Sequence, residues 1–264
     1  MKIATAAEHY AGMKAKAEQK INSLQEKTLI RVGAATCGLA AGAQKVKDTF
    51  VEEIKHKGLD AEIIEVGCMG HCYAEPMAII SKPGFPALCY GHMDEGLAKL
   101  LVEEFLGNDD PCYEYALVAL EPNDIFPTFS DFPRDAYEKK IILEHCGFID
   151  PEDIDHYLAR EGYASLVKTL QMKPEEIISA MVDSGLRGRG GAGFPVGKKW
   201  TICRNTPSEI KYIICNADEG DPGAFMDRSV LESNPHQVIE GMLICAYAVG
   251  ATKGYIYVRN EYPL

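Results

Sequence analysis

The sequence predicts an α/β protein in two parts, and three observations carry that expectation. Twice along the chain a strand-like apolar run, an amphipathic helix and a second strand follow one another, the pattern of a right-handed parallel βαβ unit. Between the two units, residues 100–133 hold no Lys or Arg but eight acids, with prolines at 111, 122, 127 and 133. Ahead of both, residues 5–27 place Tyr10, Met13, Ala17, Ile21 and Leu24 three or four apart on an otherwise charged helix.

That first segment, residues 1–27, reads as a docking helix with one apolar stripe. From Thr28 the period changes: residues 28–35 read as a buried strand, 44–57 as a helix with Val46, Phe50 and Ile54 on one face, and 61–66 as a second strand. Residues 77–81 and 87–90 read as a hairpin, and 94–106 as a helix burying Leu97, Leu100, Leu101 and Phe105. The order βαβ, ββ, α is that of a thioredoxin-like domain over residues 28–110. Residues 111–140 form an acidic, proline-containing linker, with 113–120 extended along a neighbour. Helices are expected at 151–160, 163–170 and 174–183, with Pro151 in a first turn and Gly185 as the last stop. A glycine-rich loop, a strand at 209–216, an acidic loop, a helix at 235–249 and a strand at 254–259 complete a second domain over 141–264, the first part of a Rossmann-like fold.

Composition bounds what such a protein does. The 264 residues include 27 Lys and Arg against 39 Asp and Glu, a formal charge of −12 that argues against nucleic-acid binding. The apolar runs, such as residues 242–249, are far short of the ~20 residues that span a bilayer, so no direct membrane insertion is expected. The charged N-terminal segment lacks the apolar core of a secretory signal, which points to the cytoplasm. Nine cysteines, at 37, 68, 72, 89, 112, 146, 203, 215 and 245, then suit free thiols or metal ligands better than disulfides.

Cys37 follows the first strand and opens a helix. Cys68-Met-Gly-His-Cys72 follows the second strand, so both sites lie at the carboxyl ends of adjacent parallel strands. Helix N-terminal amides favour a thiolate there, and Gly67 and Gly70 let the backbone wrap closely around an inorganic cluster. Three buried structural cysteines are the alternative of equal weight. These residues resemble the thioredoxin-like 2Fe-2S ferredoxin domain, of the kind found in the small subunit of the NADH module of respiratory complex I. That family holds its cluster with four cysteines spaced C-x4-C and C-x3-C. Cys37, Cys68 and Cys72 match the last three, but the first falls on Val32. The resemblance therefore implies either a fourth donor recruited from elsewhere, Cys89 being the nearest choice, or a fold that has lost its cluster. The second is the expectation here. His71, between the pair, reads as a turn residue.

Gly188-Arg189-Gly190-Gly191-Ala192-Gly193 satisfies G-x-G-x-x-G in form, yet a helix precedes it and Phe194-Pro195 follows, unlike a dinucleotide turn. Gly197-Lys198-Lys199 lacks the Ser or Thr of a triphosphate loop. Six glycines between 185 and 197, with Arg187, Arg189, Lys198 and Lys199, suit an anion site. Asn216-Ala217-Asp218-Glu219-Gly220-Asp221-Pro222-Gly223 begins where a strand ends, the place where open α/β sheets bind ligands. Asn216 and Asp218 alternate onto one side and suit hydroxyls or ring heteroatoms, and Glu219 suits an amide or ribose. A solvated acidic turn is the plainer alternative. Phe194 suits either stacking on a planar ring or holding the loop down.

Together, Gly185 to Pro195, Lys199-Trp200 and Cys215 to Phe225 closely resemble the FMN- and NADH-binding subunit of complex I. With a thioredoxin-like domain ahead, the arrangement looks most like the beta subunit of NAD-dependent, often electron-bifurcating, iron hydrogenases. The resemblance implies that Gly188, Arg189, Gly190, Gly191 and Gly193 cradle the flavin phosphate and the dinucleotide, and that Phe194 stacks on the nicotinamide. Lys199 would lie near the flavin, while Asn216, Asp218 and Glu219 would hold its ribityl chain, with Glu219 also helping to place the nicotinamide. The implied chemistry is hydride transfer from NADH to FMN, then one-electron steps to iron-sulfur centres in partner subunits of a redox complex. Family members continue with a second half of the nucleotide pocket and a 4Fe-4S domain, which lie outside this sequence. A two-stranded parallel unit cannot cover both its faces, so the rest is expected from a longer chain or a partner. A non-catalytic docking subunit is the competing class. A thiol-disulfide oxidoreductase is a third, weakened because Cys68 and Cys72 lack the C-x-x-C spacing.

Overall fold

The computed structural model describes residues 3–133 and 137–260. Residues 1–2, 134–136 and 261–264, parts of the expected docking helix, linker and second domain, lie outside the described residues. Two compact units are present. Among the described residues, the first comprises 16–157 with 229–234, and the second 3–15, 158–228 and 235–260.

In the first unit, residues 16–25 belong to α1 (Ile3–Gln25), whose Ala17 and Ile21 are buried. The Lys20 ammonium donates to Asp153 and Asp155 at 2.7 and 2.8 Å, tying this helix to the start of α5 (Ile154–Leu158). The apolar stripe read from the sequence is thus partly covered within this chain. β1 (Thr28–Gly33) and β2 (Ala61–Val66) pair in parallel, joined by α2 (Thr36–Ala41) and α3 (Ala43–Lys57). β3 (Ala78–Ser81) runs antiparallel to β1, and β4 (Leu88–Tyr90) antiparallel to β3. α4 (Glu95–Leu101) starts on the Asp94 carboxylate, which accepts the Leu97 N–H at 2.7 Å, and continues in wider π turns to Gly107. The strand order β2-β1-β3-β4 with these connections is the thioredoxin-like arrangement that the sequence predicts.

Alternation along the strands separates two cores. Ile30, Val32, Ile80, Leu88 and Tyr90 face α3 and α4, where they meet Val46, Phe50, Leu101 and Phe105. Ile79, Cys89 and Val118 join the cluster that holds Met69, Met77 and Phe129. Val118 belongs to β5 (Ala116–Ala119), which pairs antiparallel with β4. Part of the stretch expected to be a linker is therefore a fifth strand. Its composition concealed this, because four residues between acidic turns carry too little periodicity to read.

In the second unit, α6 (Ala164–Thr169) is followed by α7 (Pro174–Asp183), which has Pro174 in its first turn. The buried Glu240 carboxylate accepts the N–H groups of Tyr163 and Leu166, both at 2.9 Å, so α10 (Pro235–Val249) caps the start of α6. β6 (Tyr212–Ala217) and β7 (Lys253–Val258) pair in parallel with α10 between them in a βαβ unit, and α9 (Asp227–Ser233) begins in this unit at Asp227 and Arg228. Its core is Ile177, Ile178 and Ala248, packed with Met172, Trp200, Ile244 and Tyr247. The opposite face of the two strands is open: Ile214 is 67% exposed and Tyr257 58%. Among the described residues no helix is long and apolar enough to cross a membrane.

Phe50 is fully buried in the core that β1 shares with α3 and α4. Phe50→Ala is expected to cost about 3–5 kcal/mol, read as a lower denaturant midpoint at unchanged m-value.

Candidate functional site

The glycine-rich loop is a closed element. Gly188 N–H donates to Phe194 C=O and Val196 N–H to Leu186 C=O, both at 2.9 Å, and the Arg187 guanidinium donates to Gly193 C=O at 2.5 Å. These bonds fold residues 186–196 into a short hairpin whose tip, Arg189 to Ala192, is exposed. Gly191 and Gly193 have φ of 95° and 60°, values that β-carbon-bearing residues rarely adopt. The hairpin leads straight into α8 (Val196–Asn205), a helix that the sequence pattern did not separate from the loop. Its ten residues mix Lys, Trp and Arg without one apolar stripe, so periodicity was no guide. Position within the unit comes from Gly197: a β-carbon there would sit 2.5 Å from Val182 N, so only glycine lets α8 cross α7 this closely.

Phe194 is 45% exposed at the base of the hairpin, with the Lys198 ammonium 5.9 Å from its ring centre. Lys199 is exposed on α8, close enough to α10 that its charge acts on Cys245, whose thiol burial raises to about 11. The glycines of the hairpin tip, Arg189 and two lysines at the start of a helix are donors of the kind that suits a phosphate.

The acidic loop leaves the carboxyl end of β6. Asn216 is exposed there, and its side-chain oxygen accepts the Asp218 N–H at 3.3 Å. Glu219 has a left-handed backbone, φ 45°, and its carboxylate turns back onto the start of α9. That carboxylate accepts the N–H groups of Asp227 and Arg228, each at 2.9 Å, and of Met226. Glu219 is thus the N-terminal cap of α9, a role with no sign in the residue order, since cap and helix are separated by the whole acidic loop. Burial and the Glu219 charge raise the Asp227 carboxyl above its ordinary range.

The cysteines of the first unit form a separate group. Cys68 and Cys72 sulfurs lie 3.5 Å apart, Cys68 buried and Cys72 exposed, and the Gly70 N–H donates to Cys68 Sγ at 3.2 Å. The set does not fit a four-donor cluster. Val32 is fully buried in the core with α3, while Cys89 belongs to the other face of the sheet, with burial pushing its thiol up to about 12. Among the described residues no group of three or more His, Cys, Asp or Glu side chains is placed to hold a metal ion.

Near the pair sits Glu75, which sequence reasoning did not select; its charge acts on the Cys68 thiol. It is buried, its carboxylate accepts the Met77 N–H at 2.9 Å, and its oxygens lie against Gly33 and Gly38. A small cavity adjoins it, lined by Arg31, Val66, Gly67 and Met77.

Residues 181–264 match the Nuo51 FMN-binding domain. Both loops lie within this Nuo51-type segment. The chain is 57% identical over 125 residues to the NADP-reducing hydrogenase subunit HndC of Solidesulfovibrio fructosivorans, a match covering 47% of this chain and 25% of that protein. It is 56% identical over 110 residues to an NADH-quinone oxidoreductase subunit of Aquifex aeolicus, covering 42% and 26%. A longer match, 36% identical over 209 residues, covers 76% of the chain and 30% of the NAD-reducing hydrogenase HoxS subunit alpha of Cupriavidus necator. The chain thus spans between 25% and 30% of the length of these three relatives.

Two outcomes check this geometry. Removing the Glu219 carboxylate leaves three backbone donors without it, so Glu219→Ala is expected to lower stability by about 1–2 kcal/mol, with the loss of protection in hydrogen exchange greatest at residues 226–228. Burial holds the proton on Glu75 to about pH 7, against 4.5 as the ordinary value, so between these pH values the folded state binds more protons than the unfolded one. Stability therefore falls as pH rises through that window, and Glu75→Gln should flatten the fall in a series of denaturant titrations.

Proposed function

We propose that the chain is the electron-input module of a cytoplasmic NADH-dependent oxidoreductase complex, passing electrons from NADH through FMN to iron-sulfur centres of partner subunits. The observation that carries the proposal is the pinned glycine hairpin at the start of α8, within the segment that matches an FMN-binding domain. Supporting it, the similar proteins are named as NADH-quinone oxidoreductase and hydrogenase subunits. A sequence with nine cysteines, an odd number, accords with a reducing compartment.

FMN, when bound, accepts a hydride and releases electrons singly. The chain's own residues bind and orient. Gly190, Gly191 and Gly193 offer amides and Arg189 a guanidinium to a phosphate, while Gly188 gives its N–H to Phe194 C=O; the hairpin bonds hold the loop in shape before a ligand arrives, which lowers the entropy cost of binding. Phe194 presents an exposed ring for a planar partner, and Lys199 adds positive charge from α8. Asn216 and Asp218 offer hydroxyl partners at the carboxyl end of β6. Glu219 acts through its cap, setting the direction in which the acidic loop leaves the strand, with its backbone C=O held by Arg259 at 3.3 Å. No step is assigned to the cysteine group.

A second role, docking without catalysis, draws on the open apolar face of β6 and β7, where Tyr212, Ile214, Tyr255 and Tyr257 are exposed. Flavin content separates the two. The protein purified with its native partners should release about one FMN per chain on denaturation; its absence would leave the docking role. Arg189→Ala should weaken flavin retention about tenfold, equivalent to about 1.4 kcal/mol. Phe194→Ala should leave flavin content unchanged and raise KM for NADH.

A further inference from the structure

We propose that Cys68 and Cys72 form a thiol-disulfide exchange site, in which exposed Cys72 reacts with a low-molecular-weight disulfide and buried Cys68 resolves the adduct. The spacing of the two residues in sequence, C-x3-C, is one longer than in a C-x-x-C motif, yet their sulfurs stand 3.5 Å apart. Several contacts hold the loop between them in that shape. The Lys140 ammonium donates to Met69 C=O at 2.8 Å, and buried His71 stacks on Phe129 with ring centres 4.4 Å apart and planes 9° from parallel. Gly70, at φ 96°, makes the reversal and donates its N–H to Cys68 Sγ. Cys72 then begins a short 3-10 turn and is exposed at the surface.

One exposed and one buried cysteine with sulfurs in contact divide the labour of exchange. Cys72, as thiolate, attacks one sulfur of a disulfide RS–SR; the S–S bond breaks, and the leaving thiolate takes up the proton that Cys72 has released. Cys68 then attacks the Cys72 sulfur of the mixed disulfide, expelling the second thiolate, which takes up the Cys68 proton. Two electrons and two protons leave the dithiol, and RS–SR is reduced to two RSH. A held loop favours the second step, because the resolving sulfur is already in van der Waals contact with the sulfur it attacks. The mismatch between this cysteine set and a four-donor cluster leaves both thiols available for such chemistry. This assignment is independent of flavin binding.

The test uses the full chain in its native complex, equilibrated against graded ratios of reduced and oxidised glutathione, trapped by alkylation and mapped by mass spectrometry. The expected result is a Cys68–Cys72 linkage that appears and disappears reversibly with the ratio. Cys68→Ser should accumulate glutathione on Cys72, whereas Cys72→Ser should leave Cys68 unmodified because it is buried; circular dichroism of both variants checks that they fold. Absence of the linkage at every ratio, linkage through Cys37 instead, or bound iron that protects both thiols would overturn the proposal.

Discussion

The double pairing of strand β1 holds the first unit together. β1 is joined on one side to β2 in parallel and on the other to β3 antiparallel, so almost every backbone group along it has a ladder partner. Its Leu29, Ile30 and Val32 are all buried, and burying them on both faces of a central strand leaves no freedom of register, because a slip of one residue would exchange the faces. From this follow the places where the chain leaves the sheet. The carboxyl ends of β1 and β2 lie side by side, and they release the segments that carry Cys37 and Cys68.

The same pairing places Val32, where the resemblance puts the first of four cysteines, in the core. A thiolate at that position would need a partner ion, whereas Val32 instead fills space in the core with Val46 and Phe50. What remains at the strand ends is a pair of sulfurs in contact, with Gly70 donating to one of them, near a buried carboxyl. Burial is the first cause for both groups: it raises the Cys68 thiol above its ordinary range and the Glu75 carboxyl to about 7. The Glu75 and Cys72 charges add to the rise of the Cys68 thiol.

In the second unit two close backbone approaches set the loops. Gly197 lets α8 lie against α7, which fixes where the glycine hairpin emerges, and Glu219 folds back onto α9, which fixes where the acidic loop turns. Neither contact involves a ligand. The donors of each loop are therefore held in position by the fold, with the hairpin tip and Asn216 facing solvent.

Much of this was legible from residue order. Helices α3, α7 and α10 and strands β1, β2, β6 and β7 follow from clear periods and from Pro and Gly stops, and the glycine loop and the Cys68–Cys72 pair follow from composition at short spacing. Strand β5 and helices α8 and α9 were not legible, because each lacks an apolar stripe and forms where neighbouring elements supply what its own pattern lacks, whereas the helix opened by Cys37 is α2. The α/β class, the thioredoxin-like order of elements and the residue types at each loop were set by residue order alone, since these are local properties of spacing and charge. That Val32 and Cys89 face opposite sides of one sheet, that Glu219 caps α9 and that the sulfurs of Cys68 and Cys72 touch became clear in the folded chain. Those outcomes depend on the pleat, on chain reversals and on distances between residues that periodicity does not encode.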